Sequence, residues 1–119
     1  MMKMSLVTDV LGHLTFEQML DTVAGLGFEA VELGCGGWSK APFVQLDELL
    51  ESKARREAFL AAIHARDLDI SALNCSAEQL APTPKGAAHK VIVEKTFRLA
   101  ELLGVKTIVM MSGCPGGSK

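Results

Sequence analysis

The stretch LGFEAVELG, Leu26–Gly34, reads as the end of one helix running at once into a buried strand. Gly27 stands where a helix needs a left-handed residue to turn off, and Phe28 to Leu33 follows as an apolar strand broken by two carboxylates. The pattern returns as LGVKTI, Leu103–Ile108. Both copies read Leu-Gly-apolar-charged-small-apolar, so a strand–helix unit occurs at least twice. Repeated units of this kind build a parallel sheet through right-handed crossovers, which places the chain in the α/β class.

Working outward, four strands are expected: Ser5 to Asp9, Phe28 to Leu33, Leu68 to Asn74 and Lys106 to Met111. Three helical segments separate them. The first, TFEQMLDTVAGLG, sets Phe16, Met19, Leu20 and Val23 on one face by their i, i+3, i+4, i+7 spacing. Thr15 followed by Gln18 has the form of a capping box. The second runs from about Leu46 to His64, with Leu49, Leu50, Phe59, Leu60 and Ile63 as its apolar face. The third runs from about Ala87 to Leu103, with Ile92, Leu99, Leu102 and Leu103 inward. The fourth strand is apolar at successive positions, which implies burial on both faces. With sheet order 1-2-3-4 all helices lie on one side, so the bare side calls for closure by further strands or cover by another chain, including self-association.

Composition sets limits. At 119 residues, 49% apolar and 22% charged, the chain suits one globular domain, with no internal linker. A net charge of −2 gives no reason to expect nucleic acid or an anionic membrane as partner. No apolar run approaches the roughly 20 residues of a bilayer span, and the N-terminus lacks a signal-peptide pattern. Cys35, Cys75 and Cys114 form an odd set without CxxC spacing, which argues against disulfides or zinc and for a reducing cytoplasmic setting.

The segments SLVTD, TFEQMLDTVAGLGFEAVELG, DISALNCS and LLGVKTIVMMSGCPGG together resemble the sugar phosphate isomerase/epimerase family, which has the xylose isomerase-like TIM barrel. The resemblance spans essentially the whole chain but only the first half of such a (β/α)8 barrel. It therefore implies the N-terminal half of a barrel, ending after strand four. It also implies a divalent metal, Mn or Mg, and proton transfer next to the carbonyl of a sugar or polyol-derived substrate. The family's metal ligands come from later strands, so none is carried over here. What the first four strands contribute is pocket wall, from the loops at their C-terminal ends. One departure stands out. Relatives tend to read Ser-Gly-Asn-Pro-Leu-His-Pro after strand three, where this chain has SAEQLAP, Ser76–Pro82, with Ala77 and Ala81 replacing the glycine and histidine.

Candidate site residues follow from the strand ends. Glu32 ends strand two, where a carboxylate suits a substrate hydroxyl or is satisfied by a neighbouring amide or lysine. Asn74, with Cys75 and Ser76, ends strand three; its amide suits a sugar hydroxyl or stabilises its own turn. Ser112 and Gly113 open a glycine-rich loop better read as pocket rim than as phosphate cradle. Trp38 is placed to stack on a sugar face or to pack on a neighbouring loop. His13 lies on the same side, as do Thr8 and Asp9, the latter expected to cap or brace the loop that follows it. His64 and His89 are expected to be solvated on the outer helices.

Overall fold

The computed structural model describes residues 3–40 and 42–111. Four parallel strands stand in the order β1-β2-β3-β4: β1 Ser5–Val7, β2 Ala30–Gly34, β3 Asp69–Asn74 and β4 Ile108–Val109. Between them run α1 Phe16–Gly25, α2 Leu46–Glu51, α3 Lys53–His64 and α4 Pro84–Leu103. The α/β class and the sheet order expected from the repeated unit are those observed.

Local chemistry accounts for most of the helix boundaries. Thr15 Oγ1 accepts from the Gln18 amide while the Gln18 side chain accepts from the Thr15 amide, closing the capping box. Such a cap is worth about 1 kcal/mol. After α1 and after α4, Gly27 and Gly104 take φ of +89° and +74°, the left-handed turn that both copies of the repeat require. The segment from Leu46 to His64 is two helices. Ser52 has extended backbone, φ −123° and ψ 114°, and its hydroxyl caps α3 by accepting from the Arg55 amide. A serine capping from inside an apolar pattern is invisible to periodicity, because the stripe continues across the break. α4 starts at Pro84, three residues before the expected Ala87, with Thr83 as its N-cap.

The core lies between the sheet and the helices. Met19, Leu20, Val23, Phe59, Ile63 and Leu99 meet Val31, Leu33 and Leu73 there. Leu102, expected inward, is 51% exposed, because α4 turns its Leu99–Ala100 side to the sheet.

The strand ends differ from expectation. β1 stops at Val7, and Thr8–Leu11 form a single 3-10 turn. β4 is reduced to Ile108–Val109, both half-buried, while Met110 and Met111 are exposed. The dry, two-faced burial expected of the fourth strand is therefore absent from these residues. The helix-free side of the sheet is mixed in character. Ser5 and Ser71 share a hydroxyl–hydroxyl bond of 2.6 Å there, and Val7 is 43% exposed.

One irregularity controls which side chains reach that side. Val31 pairs with Ile70 but Glu32 pairs with Ala72, so Ser71 is an extra residue in β3. Such a bulge, uncommon between parallel strands, shifts the alternation by one. Leu73 then lies beside Leu33 and enters the core, while Asn74 joins the face of Glu32.

Candidate functional site

The C-terminal ends of β2 and β3 carry one polar cluster. Asn74 Nδ2 donates to Glu32 Oε2 at 2.7 Å, and the Ser76 amide donates to Asn74 Oδ1 at 2.9 Å. The asparagine thus fills both roles read from the sequence: its oxygen stabilises its own turn and its nitrogen reaches across to the carboxylate. Glu32 is met by that side chain rather than by a backbone amide or a lysine. All three residues are half-buried. One carboxylate oxygen of Glu32 is committed to Asn74. The other oxygen and the second Nδ2 proton are the groups that remain for a polar ligand.

The loops around the cluster are tied together by main-chain bonds. The Cys35 amide donates to Asn74 O and the Trp38 amide to Ser76 O, each at 2.9 Å. The loop after β2 therefore lies directly on the loop after β3. Gly37 makes this approach possible: it has φ +73°, and a Cβ there would stand 2.6 Å from Ser76 O. Thr8, fully buried at the end of β1, donates to the Glu32 carbonyl at 3.3 Å. Asp9, expected to cap or brace the loop that follows β1, reaches instead to the loop after β2, accepting from Ser39 Oγ at 2.9 Å.

The other candidates stand apart from the cluster. Trp38 belongs to it through its backbone, while the residue is 46% exposed. His13 is exposed in the turn before α1, outside the hydrogen-bonded group. Ser112 and Gly113 lie outside the described residues. His89, expected to be solvated, is 8% exposed, and its Nδ1 accepts from the Glu78 amide at 2.9 Å. The sequence signal for it was faint: a histidine following a polar, proline-bearing loop that needs an anchor. His64 is exposed as expected, 3.9 Å from Asp69.

Below the cluster, Cys35 and Cys75 are buried beside the Thr96 hydroxyl. Burial pushes the Cys35 thiol from its ordinary 9.0 up to about 12, and raises Cys75 as well. Both thiols are therefore protonated at neutral pH and poor nucleophiles. Among the described residues no three His, Cys, Asp or Glu side chains converge to hold a metal ion. The resemblance assigns the metal's ligands to later strands, and the Glu32–Asn74–Ser76 cluster is a hydrogen-bonded one. An open apolar groove of about 420 Å³ lies elsewhere, in the helical layer around Phe16, Phe43 and Phe59. It brings no polar group toward the strand ends. No helix among the described residues is long and apolar enough to cross a membrane.

Comparison with known proteins places this geometry. No family model matches the chain. It is 51% identical over 116 residues to the uncharacterized protein YfiH of Bacillus subtilis (strain 168), an alignment that takes in 98% of this chain and 37% of the relative. Among solved structures it is similar to D-psicose 3-epimerase, crystallised in the presence of D-fructose, with a TM-score of 0.59 and 17% identity. That match takes in 92% of this chain and 37% of the epimerase chain. At this identity the likeness establishes the fold: the four-stranded sheet and its helices have the architecture of part of a sugar epimerase barrel. The chain spans little more than a third of the length of these two proteins.

Proposed function

We propose that the protein is a sugar or sugar-phosphate isomerase/epimerase, moving a proton next to a carbonyl, and that this chain supplies the hydroxyl-binding wall of the pocket. The observation that carries this reading is the Glu32–Asn74 bond, set where barrels of this type place their substrate. Asn74 locks the carboxylate's orientation, and the turn through Ser76 locks the asparagine. The acceptor left on Glu32 is thus pre-aimed, so a ligand hydroxyl meets it without further ordering cost. The likeness to a ketose epimerase supports a small polyhydroxylated ligand over a peptide or nucleic acid.

Titrating the chain with a panel of ketoses and polyols by calorimetry tests the binding step. Saturable binding that weakens about tenfold in Glu32→Gln is expected, since one charge-assisted bond is worth roughly 1.5–3 kcal/mol. Binding that ignores the substitution would remove Glu32 from the site. Proton transfer is tested separately, in D2O with added Mn2+, by deuterium incorporation at the carbon beside the carbonyl. A second reading is a sugar-binding module without catalysis, for which the hydrogen-bonding groups of the Glu32–Asn74 pair suffice. Binding without deuterium incorporation selects it.

A further inference from the structure

We propose that His89 is a positioning residue for the strand-end cluster, acting through the loop between β3 and α4. On one side the loop is tied to β4 and the residues after it, through the Cys75 amide to the Val109 carbonyl and Gln79 Nε2 to the Met111 carbonyl. The side chain of Glu78 pairs with Lys85 at 3.2 Å, but this pair is exposed and screened, so it fixes the loop weakly. The main-chain amide of Glu78 is held differently. It donates to Nδ1 of an imidazole that is 8% exposed, one turn into the 20-residue helix α4. The same stretch then folds back through Ala81 N to Glu78 O at 3.0 Å, and Thr83 caps the helix by accepting from the Gly86 amide. His89 therefore joins the middle of the loop to a rigid element, five residues before the Thr83 cap.

What that anchor positions is Ser76, two residues upstream. Its amide orients Asn74, and its carbonyl receives the Trp38 amide from the loop after β2. Ser76 thus touches both the Asn74 side chain and the loop after β2, beside the separate bond from the Cys35 amide to the Asn74 carbonyl. Releasing Glu78 frees the segment that sets Ser76, and with it the direction of the Glu32–Asn74 pair. The geometry also fixes the protonation state: a ring nitrogen that accepts an amide proton carries none of its own, so the single ring proton is on Nε2.

Three measurements on the 119-residue chain test this. In the unsubstituted protein, long-range 1H–15N spectra should show His89 with a bare Nδ1 and a protonated Nε2. The Glu78 and Trp38 amides should exchange with solvent at least tenfold faster in His89→Leu, relative to amides within α1. His89→Asn, whose Oδ1 stands near the position of Nδ1, should return both to within about threefold of the unsubstituted protein. A proton on Nδ1 overturns the proposal, as does unchanged exchange in His89→Leu or an Asn variant that behaves like Leu. Should His89→Leu fail to fold, the ring spectrum and the Asn variant still decide. These readouts need no ligand, so their failure is separate from failure of the sugar-binding reading on which the role of the cluster rests.

Discussion

The two sides of the sheet obey different rules. On the helix side, Val31, Leu33 and Leu73 are fully buried against Met19, Leu20, Ile63 and Leu99, and close packing decides what fits. On the other side, Ser5 bonds Ser71 and Glu32 bonds Asn74, and hydrogen-bond partners decide. The first side makes the fold; the second is the side that the proposed function turns to a ligand. A single extra residue, Ser71, keeps the two sets from mixing. Register matters so much because one step of slip exchanges every later side chain between the faces.

The sharpest way to break the contrast is to exchange its two deciding side chains, Leu73→Asn with Asn74→Leu. With the register unchanged, an amide enters the core beside Leu33 and a leucine takes its place on the polar side. A loss of at least about 3 kcal/mol in urea unfolding is expected, comparable to emptying a core leucine site. By contrast, Ser71→Ala keeps both side chains in place and should stay within roughly 0.5 kcal/mol. If the exchange is as mild as the substitution, register does not sort the faces.

Next in size is Gly37→Ala. It combines a left-handed backbone with a Cβ placed 2.6 Å from Ser76 O, and should cost about 1–3 kcal/mol and separate the two loops. Asn74→Ala acts on the ligand side alone. It leaves Glu32 without its partner, so stability should fall by only about 1 kcal/mol, while affinity for whichever polyol binds falls about tenfold. Equal effects on stability and affinity would mean that the pair is structural.

The last effect is absent at neutral pH and is read only in alkali. Below pH 9.0 the Cys35 thiol is protonated in folded and unfolded chains alike. Above it the unfolded chain loses its proton first, because burial holds the folded thiol up to about 12. Stability should therefore decline with rising pH between these values, and Cys35→Ala should flatten part of that decline in alkaline unfolding curves. An unchanged slope would show that Cys35 ionises alike in both states.

Much of this molecule was legible in the chain. The repeat around Gly27 and Gly104 named the turns, the spacing of Phe16, Met19, Leu20 and Val23 named the buried face of α1, and Thr15 with Gln18 named its start. These are local effects, settled within a few residues by sterics and neighbouring hydrogen bonds. Glu32, Asn74 and Ser76 were legible as candidates for the same reason, since each stands at or just past a strand end. Their bonding to one another was not, because it joins positions 42 residues apart. The break at Ser52, the outward turn of Leu102 and the burial of His89 were hidden as well, since each depends on what packs against the segment.

DISALN by itself alternates in a way that sets Leu73 with Ser71 and Asn74 with Ile70. Only pairing with β2 reverses that choice. Burying Leu73 beside Leu33 gains more than an unbroken ladder would, and the cost of one bulged residue is small beside it. The sequence by itself determined the parallel α/β units and their turns. The tertiary structure decided which strand-end groups face each other, because a side chain's face is fixed by the register of a partner strand as well as by its own place in the chain.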